Sequence, residues 1–242
     1  MLTATIFIIL SFVIIGYLLG SILFGSIISK IFKVNVRRVG SHNVGGTNIS
    51  RVLGKKVGIL VMFVDAVKSC LAVVIAWVIF KYSIHNWYVG NTTLQTTIYL
   101  AGIGTVIGHC FPITYLIAIF KFKFDLKKCD LYKGGKGVAS TGGLLFAISP
   151  WIALIALGIF IILILLFKYI SLGSILTSWL SAFLVWIPKV LFLYLNYGTI
   201  IQPDWQFQLI IMIIIIYCAI LITIRHRENI IRIFSKQERK IF

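Results

Sequence analysis

A chain of 242 residues that is 60% hydrophobic, with a mean hydropathy of +1.04, carries more apolar side chain than a water-soluble fold can cover; soluble domains are about 45–50% apolar. Lipid must therefore be part of its solvent. The net charge of +17, from 23 Lys+Arg against six Asp+Glu, suggests nucleic acid in a soluble protein. Here the basic residues lie between apolar runs, so anionic headgroups and phosphorylated substrates are the expected partners rather than nucleic acid.

In chain order, apolar stretches long enough to cross a bilayer fall near residues 5–31, 57–80, 95–119, 171–194 and 207–224. The first is too long, and lacks the basic start and small-residue cleavage site, for a signal peptide, so it is read as a retained span. The stretch 138–167 contains Ser149-Pro150, and proline removes a donor and clashes with the preceding turn. It is predicted to be two helices, the first short, breaking near 149–150. The expectation is an all-α polytopic membrane protein of about seven transmembrane helices, a single domain over 1–242.

Most basic residues cluster in three places: Lys33 to Lys56, Lys121 to Lys136, and Arg225 to Lys240. Segments 82–94 and 196–206 carry almost none. By the positive-inside rule the three basic clusters are cytoplasmic and the N-terminus is outside. The pair at 138–167 then begins and ends on the cytoplasmic side. Free Cys70, Cys110, Cys129 and Cys218 show no metal-ligand or CxxC spacing. No internal repeat is visible, and nothing in the sequence sets an oligomeric state.

Each basic segment is dense in small polar residues. The first, Gly40 to Asn48 with Arg51, offers glycines for an anion nest and donors on Ser41, Asn43, Thr47 and Asn48. Arg51 can grip a phosphate bidentately. The second is Lys133-Gly134-Gly135-Lys136-Gly137, directly before an apolar helix, which reads either as a phosphate site at a helix N-terminus or as a flexible basic turn. It lacks the Walker A spacing. In the third, His226 and Asn229 share a face if the last helix continues past Ile224, with Glu238 further on. His109, in Gly108-His109-Cys110-Phe111-Pro112, reads by itself as structural. The acids are too few and too scattered to hold Mg²⁺, and there is no GxSxG elbow. Chemistry here is expected to need no metal, no cofactor and no activated nucleophile, which suits a substrate that arrives activated. A transporter or channel for an anionic solute is the alternative, with Asp65 and Lys68 as its polar groups inside a span.

These motifs, in this order, resemble those of the bacterial acyl-phosphate:glycerol-3-phosphate acyltransferases. Gly20-Ser21-Ile22-Leu23-Phe24-Gly25, Asn35-Val36-Arg37 and Gly40 through Arg51 match the first family motif. Gly108 to Pro112 and Lys133 to Ser140 match the second, and Ser171-Leu172-Gly173-Ser174, His226 to Arg232 and Glu238 the third. The resemblance implies acyl transfer from an acyl phosphate to the 1-hydroxyl of sn-glycerol 3-phosphate in the cell membrane, giving lysophosphatidic acid and phosphate. It implies catalytic roles for Ser41, Arg51, His226 and Asn229, with Glu238 as a supporting acid. Lys133, Gly134, Gly135, Lys136 and Gly137 become the glycerol-phosphate loop, and His109 and Ser171 join the substrate-binding set. Leu23 stands where the family has Pro, Asn35 for Asp, His42 for Gly and Gly46 for Ala. If position 42 needs positive φ, His fits less readily than Gly. The stretch 121–132 is longer and more basic than the family's, expected to project into the cytoplasm or onto headgroups.

Overall fold

The computed structural model describes residues 2–83, 96–187 and 205–241. The expected outer loops at 82–94 and 196–206 lie almost wholly outside the described residues, as does the end of the span expected at 171–194. The rest is helical: α1 (Leu2–Ser21), α2 (Phe24–Ile31), α3 (Gly46–Leu53), α4 (Lys55–Ser83), α5 (Tyr99–Cys110), α6 (Ile113–Lys121) and α7 (Leu126–Cys129). There follow α8 (Val138–Ile148), α9 (Pro150–Phe167), α10 (Ile170–Leu184), α11 (Trp205–Arg225) and α12 (Arg227–Phe234). Among the described residues, four stretches are long and apolar enough to cross a membrane: Ile6–Ile31, Lys55–Tyr82, Pro150–Phe167 and Trp205–Arg225. The pair α5–α6 makes a fifth if it counts as one bent span.

Two expected spans are not straight. The stretch 95–119 is bent by 50° between α5 and α6, because Pro112 has no N–H to continue the ladder and serves instead as N-cap of α6. The first span breaks at Ile22-Leu23 although no proline stands there. The break near 149–150 falls where the sequence places it. Ser149 is extended, and its hydroxyl accepts the Ile152 N–H at 3.4 Å, capping α9 with Pro150 in its first turn.

α1 packs along α5, α4 against α8, α9 against α10, and α10 against α11. The α1–α5 seam is made by glycines four apart on each helix. A Cβ at Gly16 or Gly20 would collide with the carbonyls of Ala101 and Thr105, and one at Gly104 or Gly108 with those of Val13 and Tyr17. Such close approach replaces the hydrophobic drive that lipid removes. Phe12, Leu144, Ile148, Ile152, Ile211 and Ile215 fill the central core, while Phe7, Ile117, Leu166, Phe183 and Ile213 point outward, as a lipid-facing surface should.

A two-ended cavity as candidate active site

One cavity of about 490 Å³ opens among α3, α4, α8, α9, α10, α11 and α12. Its polar end is lined by Ser41, Asn43, Thr47, Asn48, Arg51, His109, Lys136, Gly137, Ser171, His226, Asn229 and Glu238. Twelve of the fifteen residues singled out in the sequence thus meet, from positions as far apart as 41 and 238. Its other end is apolar: Ile59, Met62, Phe63, Leu145, Ala153, Ala156, Leu157 and Phe160.

The first loop, 36–48, is built around Asn48, which is buried. Its Nδ2 donates to the carbonyls of Val36 (2.9 Å), Val39 (3.1 Å) and Asn43 (2.8 Å), and its Oδ1 accepts the Ser41 N–H at 2.7 Å. Asn48 was expected to donate to substrate, but every hydrogen of its amide is already spent on the loop. Gly45 N–H goes to Asn43 Oδ1 at 2.8 Å, so this loop is a knotted turn more than an open nest. His42 does take a left-handed conformation, φ 55°, held by Nδ1 3.2 Å from the Arg37 carbonyl. Gly46 matters for packing: a Cβ there would strike Met62 Cγ and the Gly58 carbonyl, so α3 lies directly on α4. The Arg51 guanidinium makes no hydrogen bond or ion pair among the described residues and faces the cavity.

Lys133, Gly134 and Gly135 do not line the cavity. The N–H groups of Gly134 and Gly135 go to the carbonyls of Cys110 (3.0 Å) and His109 (2.9 Å). Arg37 takes the Lys133 carbonyl, and Arg225 takes those of Gly134 (3.0 Å) and Gly135 (3.2 Å). Lys133 itself pairs with Asp130. The two glycines are there because a side chain at either would run into His109. The loop is therefore a fastened strap that presents Lys136 and Gly137. Burial pushes the Lys136 ammonium down to about 8, and it donates to Asn229 Oδ1.

The last helix does not run on unbroken: His226 separates α11 from α12. Even so, His226 and Asn229 both reach the cavity and both are buried. His226 Nδ1 sits 2.8 Å from the Ile222 carbonyl, so Nδ1 carries the proton and Nε2 is left as acceptor. Burial, with Lys136 nearby, pushes this imidazole down to about 3. Glu238 Oε1 accepts from Ser171 Oγ (2.9 Å) and Asn229 Nδ2 (2.7 Å), and Oε2 from Arg232 Nε (2.8 Å). Burial opposes its ionisation, but those donors outweigh it and lower its pKa. Glu238 thus orients Asn229 and ties the tail to the start of α10.

Deeper in, the Lys68 ammonium lies 2.8 Å from Asp65 Oδ1, 2.9 Å from His109 Nδ1, and 3.1 and 3.0 Å from the carbonyls of Gly20 and Ile22. Those carbonyls are orphaned by the break after α1. The Asp65–Lys68 pair that a transporter would need is occupied in bracing that break, and His109 is part of the brace. Sequence reasoning missed the apolar end and the two strap arginines, Arg37 and Arg225. Ser171, Ser174, Ser178 and Ser181, spaced 3, 4 and 3 apart, all line the cavity from α10, and that one-faced stripe was legible.

The glycerol-3-phosphate acyltransferase family model matches residues 10–236. The chain is 36% identical over 208 residues to the glycerol-3-phosphate acyltransferase of Ureaplasma urealyticum, covering 81% of this chain and 75% of the relative. It is 36% identical over 194 residues to that of Aquifex aeolicus, covering 80% and 79%. Among solved structures it is similar to PlsY (YgiH), an integral membrane glycerol 3-phosphate acyltransferase, in its glycerol 3-phosphate form. The TM-score is 0.70 at 32% identity, over 97% of this chain and 96% of that one. The lysophosphatidic acid form of the same protein matches at the same TM-score and identity. With its ordered motifs gathered at one cavity and this likeness over nearly its whole length, the chain belongs to the glycerol-3-phosphate acyltransferase family.

Proposed function

We propose that this chain transfers a fatty acyl group from an acyl phosphate to the 1-hydroxyl of sn-glycerol 3-phosphate, the first step of phospholipid synthesis. The observation that carries the proposal is the two-ended cavity: cations and donors at one end, an apolar trough among α4, α8 and α9 at the other. A phosphate fits the first and an acyl chain the second. Arg51 and Lys136 take phosphate oxygens, aided by the first-turn N–H groups of α8 after Gly137. Ser41, Asn43 and Thr47 supply further hydroxyl and amide donors at the same end.

The glycerol oxygen bonds to the acyl carbonyl carbon as the bond from that carbon to the phosphate oxygen breaks. Phosphate leaves and takes up the hydroxyl proton. An acyl phosphate is already activated, so the protein's work is alignment and stabilisation of the oxyanion. His226, neutral and a weak base at about 3, orients the hydroxyl through Nε2, and the leaving phosphate is the better proton acceptor.

The chain is read as one acyltransferase domain over residues 1–242 with seven membrane helices, N-terminus outside and C-terminus cytoplasmic. α8 and α10 supply the two crossings beyond the five candidates. The three basic segments, and with them the polar end of the cavity, then face the cytoplasm. Acyl phosphate enters sideways from the inner leaflet.

The test is phosphate release from palmitoyl phosphate by purified protein, with and without glycerol 3-phosphate, for wild type and Arg51→Ala. Release that requires glycerol 3-phosphate and collapses in the variant is expected. Release that ignores glycerol 3-phosphate, or none from folded wild type across several acyl lengths, would overturn the proposal.

A further inference from the structure

The family motifs do not use residues 121–132, yet this segment has a definite fold. After α6 the chain turns through 122–125 into α7 and a short 3-10 turn, Asp130–Tyr132. The hairpin has its own small core of Tyr115, Ala118 and Cys129 with Phe111, Ile119 and Phe122. The rings of Phe122 and Tyr132 close it at 5.8 Å. Both of its acids, though part-exposed, are taken up locally, Asp125 lying 3.3 Å from the Lys128 ammonium. Asp125 accepts the Lys128 N–H at 3.3 Å to cap α7, and Asp130 pairs with Lys133.

The outer side is different. Phe120, Phe124, Leu126 and Leu131 are 59–74% exposed. Phe124 meets Phe120 edge-on at 6.0 Å, so it extends the outward row Ile113, Ile117 and Phe120 of the bent membrane helix α6. Lys121, Lys123, Lys127 and Lys128 are exposed in the same short stretch. Large apolar side chains interleaved with lysines are poorly served by water alone. At the headgroup layer both are satisfied: rings and leucines enter the acyl boundary while ammonium groups reach lipid phosphates.

We propose that the 120–132 hairpin is a docking surface for the anionic headgroups of the bilayer in which the chain sits. The charge of the four lysines and the continuity with the lipid-facing row of α6 select this partner over a soluble one. Because the hairpin runs straight into the strap at Lys133, docking anchors the element that presents Lys136. The inference does not depend on acyl transfer, and its test reads no activity.

The full chain is placed in nanodiscs of phosphatidylcholine alone and of phosphatidylcholine with about one third phosphatidylglycerol, and hydrogen exchange of the 121–132 peptide is followed by mass spectrometry. Exchange severalfold slower in the anionic discs is expected, with the difference shrinking at about 0.5 M salt. The variant Lys121→Gln/Lys123→Gln/Lys127→Gln/Lys128→Gln should lose the lipid difference while exchange in α1 and α5 stays as in wild type, which establishes that it is folded. Equal exchange of the wild type in the two lipids would overturn the proposal. So would a lipid difference that survives in the variant, or protection by added RNA in neutral discs without any from anionic lipid.

Discussion

At the residue scale the site depends on a few groups whose ionisation the fold has shifted. Lys136, lowered to about 8, must be protonated to hold a phosphate, so kcat/KM for glycerol 3-phosphate is expected to fall roughly tenfold per pH unit above about 8. The stability sign is opposite. A lysine whose folded pKa lies below its unfolded value binds more protons unfolded, so its contribution rises with pH between about 8 and the ordinary 10.5. A pH profile of kcat/KM beside thermal unfolding tests this; an activity limb that Lys136→Arg leaves in place would count against Lys136. His226, lowered to about 3, stabilises nothing extra above its ordinary 6.5. Below it, stability drains as the unfolded imidazole takes up a proton, at about 1.4 kcal/mol per pH unit. Glu238 holds Asn229, Ser171 and Arg232. Glu238→Gln is therefore expected to lower kcat by as much as about 10²-fold through misplacement. Unchanged steady-state kinetics in that variant would show that the tail is ornamental.

At the element scale, two kinds of joint position the site. Lys68 caps the broken end of the first span and neutralises Asp65. Lys68→Met leaves two carbonyls unpaired and a buried carboxylate with His109, at 3.4 Å, as its remaining partner, and is expected to cost about 3–5 kcal/mol. Adding Asp65→Asn should recover part of that, as read by thermal unfolding in detergent; no recovery would mean that the ammonium serves the carbonyls alone. The glycine seam is the other joint. Gly104→Val would drive a side chain into the Val13 carbonyl and part α1 from α5, lowering the unfolding temperature, whereas Gly158→Val, which meets nothing within 4 Å, should be tolerated. Helix existence was legible from apolar run length, and the break at Ser149-Pro150 from proline chemistry. The break at Ile22-Leu23 was not, because the groups that make it tolerable, on Lys68, come from another helix.

At the scale of the whole molecule, the cavity joins segments that only the fold brings together, and its length sets what it holds. Ser171 and Ser181 lie ten residues apart on α10, about 15 Å of helix rise, with Ala156 buried on the facing helix. Filling the apolar end with Ala156→Phe should shift preference toward shorter acyl phosphates while the KM for glycerol 3-phosphate holds. An acyl-length profile identical to wild type would place the chain elsewhere. By itself the sequence determined the solvent, the helical class, the order of the motifs and most of the polar end, because apolar run length, basic-loop bias and glycine–cation clusters are local properties of the chain. Only the tertiary structure decided that Asn48, Gly134 and Gly135 spend their N–H donors on nearby carbonyls, and that Arg37 and Arg225 fasten the strap. It also decided that α4, α8 and α9 leave an apolar trough between them. A donor's availability depends on which carbonyl lies within 3 Å of it, and that carbonyl belongs to a segment far away in the chain.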